Sequence, residues 1–214
     1  MQIARFTFNP FQENTYILYD ETKECVIIDP GCYDPEEKAE LFDYIKRHEL
    51  VPKRLLNTHC HIDHVLGNKF VSASYGLIPE IHPLEVSLLE ATKNYGPTYG
   101  IYMEPSPVPL TSLHDNGSIT FGNTTLKMIF TPGHSPGSIC FYHKESNSLI
   151  GGDVLFEMSI GRTDLPGGDH ETLIRSIKER LFTLPGDTVV HPGHGPETSI
   201  NFEQLNNPFL LAYS

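Results

Sequence analysis

The sequence has little positive charge and lacks any long uninterrupted run of apolar residues. Lysine and arginine together number 15, against 27 aspartates and glutamates, so the formal net charge is -12. This acidic balance gives nonspecific binding to nucleic acid or to an anionic membrane little electrostatic help. No apolar run is long enough to span a bilayer, and no basic region precedes an apolar stretch at the N-terminus. We therefore expect a cytoplasmic protein that binds neither nucleic acid nor membrane.

Cysteine is also scarce, with 4 residues in a chain of 214. Cys25, Cys32, Cys60 and Cys140 are widely spread and form no Cys-x-x-Cys pair. Cys60 stands between two histidines that are candidate metal ligands. The pattern predicts reduced thiols and argues against a framework of disulfides.

What the sequence does contain is the composition of a globular protein, with 39% hydrophobic and 20% charged residues. We expect one domain over residues 1–214, which is long enough to bury a large core. Short β-branched or aromatic runs predict strands. They are Ile3–Phe8, Thr15–Leu18, Val26–Ile28, Leu55–Leu56, Leu126–Phe130, Ile139–Tyr142, Leu149–Ile150 and Thr188–Val190. Helical spacing and capping residues predict the helices. They begin at Asp34–Pro35 and after Asp169, with weaker ones at Leu66–Ala73 and Pro83–Lys93.

Residues 95–109 form the most irregular segment, with four prolines among three tyrosines. Two interpretations stay open for it. It is either an aromatic lid over a binding site or an ordinary surface crossover, and we favour the crossover.

Four predicted strands lead into residues of types that bind metal ions. His59, His134, Asp153 and His194 each follow an apolar run, with small or turn-forming residues beside them. Such positions gather at one end of a sheet, where loops from several strands converge on a ligand. Any one of them alone would usually be structural, but the four in concert predict a metal site.

Spacing within the segment His59–His64 indicates more than one ion. Residues two apart share a face of an extended chain, so His59 and His61 can reach one ion if the segment is strand or loop. Asp63 and His64 are adjacent, point differently and suit a second ion. The candidate ligands number seven, too many for one catalytic zinc. They are His59, His61, Asp63, His64, His134, Asp153 and His194.

This donor set suits zinc, with iron or manganese as alternatives, because it offers imidazole and carboxylate without thiolate. A carboxylate can hold both ions with its two oxygens, so Asp153 or Asp63 is the expected bridge. The remaining histidines lack such company and are expected to be structural. They are His48, His82, His114, His143 and His170. His191 is either a partner of a ligand or a loop residue, and we favour the loop residue.

Several motifs, taken in order, resemble those of the metallo-β-lactamase superfamily. The resemblance covers nearly the whole chain, and its motif set is specific. The segments that carry it are Val26–Gly31, Thr58–His64, Thr131–Ser138, Gly151–Asp153 and Pro192–Pro196. The implied fold class is α/β, a four-layer αββα sandwich of two mixed β-sheets flanked by helices.

The same resemblance implies a role for each ligand. The first metal would be bound by His59, His61 and His134, the second by Asp63, His64 and His194, and both by Asp153. The resemblance also implies that Asp29 supports the site without touching the metal. From the residues alone, Asp29 is as well explained as a turn former after a strand.

Within the superfamily, the chain is similar to hydroxyacylglutathione hydrolases (glyoxalase II). True zinc β-lactamases carry cysteine or serine near where Asp153 stands. The segments Ser159–Gly168 and Asn207–Leu210 are similar to the short bacterial members. Longer members add a C-terminal helical region that holds glutathione, and we expect this chain to lack it. Arg162 is expected either to clamp a substrate carboxylate or to pair with Asp164, and we favour the pair.

The expected activity is hydrolysis of a small-molecule thioester, such as a hydroxyacylglutathione, by a hydroxide that bridges two divalent metal ions. Asp63 and Asp153 are the expected catalytic residues. The main rival is a persulfide dioxygenase that uses one non-haem iron at His59, His134 and Asp153. A noncatalytic metal-binding module and a nuclease are weaker alternatives.

Overall fold

The structure, a computed structural model, describes residues 1–212. These residues divide into two compact units. The first comprises Met1–Ser112 with Thr120–Thr125, and the second comprises Leu113–Ile119 with Leu126–Ser214. Each unit is built on a mixed β-sheet, and a single domain over residues 1–214 stays a prediction. No helix in the described range is long and apolar enough to cross a membrane.

The first unit contains a sheet whose described strands run in chain order from one edge to the other. They are β1 (Gln2–Phe8), β2 (Glu13–Tyr19), β3 (Glu24–Ile28), β4 (Val51–Leu56) and β5 (Pro79–Glu80). The first three are antiparallel to one another, whereas β3, β4 and β5 are parallel. The helices of this unit are α1 (Pro35–Arg47), α2 (Ile62–Val65), α3 (Asn68–Tyr75) and α4 (Val86–Tyr95).

Helix α1 begins where the sequence predicts and packs on this sheet. The Asp34 side chain accepts a hydrogen bond from the Glu37 amide at 2.9 Å, and the Glu37 carboxylate reaches back to the Asp34 amide. Two otherwise unbonded amides of the first turn are satisfied in this way. Leu41 and Ile45, four residues apart on one face, are buried in the cluster that includes Ile27.

The second unit contains another mixed sheet, in the order β13-β12-β9-β8-β7-β6, and a separate two-stranded hairpin, β10-β11. Its strands are β6 (Ser118–Phe121), β7 (Thr124–Phe130), β8 (Ile139–His143), β9 (Ser148–Gly152), β10 (Leu155–Phe156), β11 (Ser159–Ile160), β12 (Val189–Pro192) and β13 (Thr198–Ser199). Its helices are α5 (His170–Ser176), α6 (Ile200–Asn206) and α7 (Pro208–Leu211). Strands β9 and β12 are parallel, and the other pairs with a described register are antiparallel.

Helices α5, α6 and α7 each contribute apolar residues to the core of the second unit. Helix α5 starts at Asp169, whose carboxylate accepts from the Thr172 amide at 2.7 Å. It continues into a π-helical turn over Ile177–Leu181. Leu173 and Leu181 share a buried cluster with Val190 of β12. The apolar residues that follow Asp169 at helical spacing, Leu173 and Leu181 among them, therefore form the buried face.

All of the predicted strands and helices are present, with shifted ends. The predicted helix Leu66–Ala73 corresponds to α3, which starts two residues later, because Gly67 separates it from α2. The sequence missed the four-residue strand β6 and the one-turn helix α2. It also missed β5, β10, β11 and β13, which are two residues long and too short for a periodic signal. It also missed α6 and α7, since their apolar residues are split by the break at Asn207.

Candidate metal centre

The first unit brings four of the predicted ligands into one loop. His59, His61, Asp63 and His64 follow β4, and the backbone is extended at His61 before turning into α2. The ring of His59 lies 4.8 Å from that of His61 and 4.1 Å from that of His64, measured between centroids. The prediction that His59 and His61 lie outside a helix is confirmed.

Asp29 accepts hydrogen bonds from this loop and from Thr58, the residue before it. It follows β3 in a left-handed conformation, with φ of 49°. One of its carboxylate oxygens accepts from the Thr58 amide at 2.7 Å, and the other accepts from the Thr58 hydroxyl at 2.5 Å. That second oxygen also lies 3.1 Å from Nδ1 of His64. Asp29 is fully engaged by the ligand loop, as expected of a residue that supports ligands.

These bonds fix which nitrogen of each imidazole carries the proton. A carboxylate can only accept, so Nδ1 of His64 donates to Asp29. The Thr58 hydroxyl gives its proton to Asp29 and therefore accepts from Nδ1 of His59, 3.0 Å away. In both rings Nε2 is left with a lone pair, the form in which imidazole binds metal. Asp63 adds a carboxylate oxygen 3.7 Å from Nε2 of His64.

Polar side chains hold the loop backbone, and two of them, Asn9 and Glu85, come from remote segments. Asn9 donates to the Asp63 carbonyl at 3.1 Å, and Asn57 donates to the His64 carbonyl at 3.0 Å. The buried Glu85 accepts from the Cys60 amide at 2.8 Å. Sequence reasoning missed these contacts, because a single polar residue gives no local sign of the backbone group that it binds.

Glu13 is a further buried carboxyl that the sequence did not single out. It has no solvent exposure, and one of its oxygens lies 3.8 Å from Nδ1 of His64. Burial raises the pKa of Glu13 well above its usual value, because a carboxylate is poorly solvated there. The neutral acid is thus favoured beside the ligand loop.

The second unit brings together the remaining three predicted ligands. Asp153 follows β9, His194 follows the parallel strand β12, and His134 lies in the turn after β7. Oδ2 of Asp153 lies 3.6 Å from Nε2 of His134 and 3.5 Å from Nε2 of His194. One carboxylate oxygen thus faces two imidazole nitrogens.

The His134 ring is oriented by a backbone carbonyl. Its Nδ1 donates to the carbonyl of Arg162 at 2.8 Å, which leaves the Nε2 lone pair facing the Asp153 carboxylate. A divalent cation can bind an imidazole lone pair and a carboxylate oxygen together. Gly161 permits this approach, because a side chain there would collide with the Asp153 carbonyl and come within 3.0 Å of Nδ1 of His134.

Arg162 itself pairs with Asp164. Its guanidinium donates two hydrogen bonds of 2.7 Å to the carboxylate, and its side chain is 60% exposed. The hydrogen bond from Arg162 lowers the pKa of Asp164 to about 2. The expected ion pair is confirmed, while a contact between Arg162 and substrate stays a prediction.

The interpretation of His191 as a loop residue was wrong. His191 lies in β12, is 7% exposed, and its Nδ1 lies 3.1 Å from a carboxylate oxygen of Glu197. The strand extends two residues beyond its predicted end, which carries His191 into the sheet. Of the histidines expected to be structural, His48 ends α1 and stacks on Tyr44, with 4.1 Å between ring centroids.

The four cysteines are free thiols and all are buried. Burial raises the pKa of Cys25 and of Cys140 to about 12. The predicted reduced state is confirmed. Neutral, buried thiols make poor ligands and poor nucleophiles, so both donor sets consist of imidazole and carboxylate.

Each donor set fits a divalent cation on its chemistry. Imidazole Nε2 atoms with nearby carboxylate oxygens suit zinc, iron or manganese. In the first unit, a carboxylate oxygen of Asp63 lies 3.7 Å from Nε2 of His64, and the ring of His59 lies 4.1 Å from that of His64. Whether the two sets act as one centre stays a prediction.

Comparison with known sequences identifies the family. The chain belongs to the metallo-β-lactamase superfamily, because the sequence model described as Metallo-beta-lactamase superfamily matches residues 8–194. A probable metallo-hydrolase, YqgX of Bacillus subtilis, is 40% identical over 216 residues and aligns over 100% of both chains. The hydroxyacylglutathione hydrolase GloC of Haemophilus influenzae is 34% identical over 216 residues, also across 100% of both.

Solved structures give the same result for the fold. BLEG-1 B3 metallo-beta-lactamase is 38% identical with a TM-score of 0.86, covering 98% of this chain and 99% of that one. TTHA1623 in a di-iron-bound form is 37% identical with a TM-score of 0.87, covering 97% and 100%. The predicted fold class, α/β with two mixed sheets flanked by helices, is confirmed. Family membership supports a metal-binding hydrolase.

Proposed function

We propose that the two donor sets together hold two divalent metal ions. His59, His61 and His134 would bind one ion, Asp63, His64 and His194 the other, and Asp153 both. The observation that carries this proposal is the Asp153 oxygen that faces Nε2 of both His134 and His194, at 3.6 and 3.5 Å. Zinc is the proposed metal, and the di-iron form of a 37% identical chain supports iron as an alternative.

Bound ions supply a Lewis acid for a carbonyl oxygen and lower the pKa of water to about 7. The residues of the chain do the rest. Asp29, through Thr58 and His64, keeps the imidazoles in the tautomer that presents Nε2. Asp63 would orient the attacking hydroxide as well as bind metal, so no separate protein base is needed. Asp153 balances the positive charge of the site.

A small-molecule thioester is the proposed substrate. A thiol has a pKa of about 8.5, so a thiolate leaves with little help from a general acid. Neither donor set includes a residue that must act as that acid. The name of GloC, hydroxyacylglutathione hydrolase, supports a hydroxyacyl thioester.

Elemental analysis of the purified protein, paired with turnover, tests the proposal. We expect two metal ions per chain and hydrolysis of lactoylglutathione. Three further substrates define the alternatives. A β-lactam tests the activity named for BLEG-1, oxygen uptake with glutathione persulfide tests the dioxygenase, and bis(p-nitrophenyl) phosphate tests phosphodiester cleavage. One metal with oxygen uptake, or no thioester cleavage by the protein loaded with two metals, would overturn the proposal.

A further inference from the structure

The motif Asn207–Leu210 at the junction of α6 and α7 has no role in the site so far. Asn207 has no solvent exposure, although it lies near the C-terminus. Its Oδ1 accepts from the Phe209 amide at 3.1 Å and so caps α7. Its side-chain amide remains for other partners, since a buried amide needs acceptors for its protons.

Those partners lie on the β10-β11 hairpin and on α6. Nδ2 of Asn207 donates to the Ser159 carbonyl at 3.0 Å and to the Glu203 carboxylate at 2.7 Å. Glu203 is also fully buried and accepts from the Met158 amide at 3.1 Å and from the Thr198 hydroxyl at 2.5 Å. Two buried polar side chains therefore grip the hairpin at its turn.

The turn that they grip is in a conformation that side chains disfavour. Met158 has φ of 56°, in the left-handed region, and it is not a glycine. Its amide is held by Glu203, and the next carbonyl, of Ser159, is held by Asn207. These hydrogen bonds offset the cost of a backbone conformation that side chains disfavour.

The other end of the hairpin touches the metal ligands. The amide of Gly161, the residue after β11, donates to the Val154 carbonyl at 3.3 Å. Val154 directly follows Asp153. The next carbonyl, of Arg162, accepts from His134. Arg162 is the third residue after Ser159, a path of about 10 Å along the chain. A displacement of the hairpin would thus move the acceptor that orients the His134 ring.

We infer that Asn207 and Glu203 are positioning residues, which fix the β10-β11 hairpin so that the Arg162 carbonyl orients His134 and Gly161 packs on Asp153. This inference depends on the metal sites of the proposed function, but not on the substrate. It also gives the Asn207–Leu210 motif a physical purpose.

The test compares Asn207→Ala with Asn206→Ala, a neighbouring asparagine whose side chain bonds only within α6, to the Phe202 carbonyl. Zinc affinity of the demetallated protein is measured by competition with a chelator dye. Hydrogen exchange at residues 158–162 is measured in the same metal-free protein. For Asn207→Ala we expect zinc affinity to fall 10–100-fold, the usual effect of losing a group that supports a ligand, and exchange to accelerate. Asn206→Ala should change neither.

Leu210→Ala and Thr198→Val complete the design. Leu210 is a core residue of α7, and its truncation lowers stability without removing a donor or acceptor of the side-chain hydrogen bonds to the hairpin. Thr198→Val removes one hydrogen bond to Glu203 and should give a smaller loss of zinc affinity, even if Asn207→Ala fails to fold. Wild-type zinc affinity in Asn207→Ala and Thr198→Val, or an equal loss in Leu210→Ala, would overturn the inference. If the wild-type protein binds no zinc while Asn207→Ala still accelerates exchange at residues 158–162, the proposed function is contradicted and the positioning of the hairpin is not.

Discussion

The two donor sets are held in place by different means. In the first unit, the ligands lie within six consecutive residues, and buried side chains orient them through Asp29 and Thr58. In the second unit, the ligands follow three separate strands, and a backbone carbonyl and a glycine orient them. A short loop has few backbone contacts of its own, so it needs side chains from elsewhere. Strand ends are already fixed by their sheet.

The comparison predicts which substitutions should lower the metal affinity of each set. The first set should be sensitive to polar side chains that bond its ligands directly, whereas the second should be sensitive to added volume near its backbone and to the side chains that fix the β10-β11 hairpin. Three experiments test this difference and a fourth tests the buried thiols, in decreasing order of expected effect.

Asp153→Asn should have the largest effect, because it removes the charge that faces two imidazoles. We expect loss of one metal ion and a fall in turnover beyond the roughly 100-fold that supporting residues cost. Metal content and thioester hydrolysis are measured together. Asp187→Asn, at an exposed carboxylate that accepts from Asn147, is the control. Two bound metals with wild-type turnover would count against the role of Asp153.

Asp29→Asn should lower zinc affinity about 10–100-fold. Asparagine fits the left-handed backbone but replaces one acceptor oxygen by a donor, so either Thr58 or His64 loses its partner. Dye competition measures the affinity. Asp20→Asn is a matched control, since Asp20 also accepts from a threonine hydroxyl and a backbone amide but lies outside the ligand loop. Equal losses in both variants would mean that general destabilisation, not ligand orientation, is being measured.

Gly161→Ala should lower zinc affinity about 10-fold and stability by about 1–3 kcal/mol, because the added methyl group meets the Asp153 carbonyl. Gly76→Ala is the control. Its φ of 68° is strained for alanine, yet nothing lies within 4 Å of the added group. It should lose about 1 kcal/mol and keep its affinity. Chemical denaturation and dye competition separate the two effects, and unchanged affinity in Gly161→Ala would show that the second set tolerates added volume.

The thiols should give the smallest effect under ordinary conditions. Because burial raises the pKa of Cys25 and Cys140 from 9.0 to about 12, the folded protein should resist alkylation at pH 8 and react only after unfolding. Folding favours the neutral thiols, so their contribution to stability is complete below pH 9 and is lost as the pH rises to 12. Iodoacetamide labelling followed by mass spectrometry checks the reactivity. Rapid labelling of the native protein would contradict the buried positions.

Much of the candidate site was predictable, because its donors are chemically distinctive and stand next to strands with clear patterns. His59 with His61, and Asp153 after β9, are examples. The supporting contacts of Glu85 and Asn57 were not predictable, since they depend on three-dimensional proximity. The Arg162 carbonyl gave no sequence signal at all, because any residue has one.

The fold was predictable to a similar depth. Longer strands carry alternation or apolar runs that survive local context, as in β1 and β7. Two-residue strands such as β10 carry no period, and their pairing is decided by the tertiary structure around them. His191 was assigned to a loop for the same reason. Proline is uncommon inside strands, so Pro192 suggested that the strand ends early, whereas pairing with the parallel strand β9 continues through residue 192.

The left-handed backbone at Asp29 makes position 29 unusually intolerant of mutation. Two independent requirements meet there: a side chain that accepts several hydrogen bonds and a φ of 49° that few residues adopt. Aspartate and asparagine are among the few residues common in that region. In a saturation library selected for function, position 29 should therefore accept almost no residue other than aspartate. Exposed positions of α1, such as Glu36 and Glu40, should accept many.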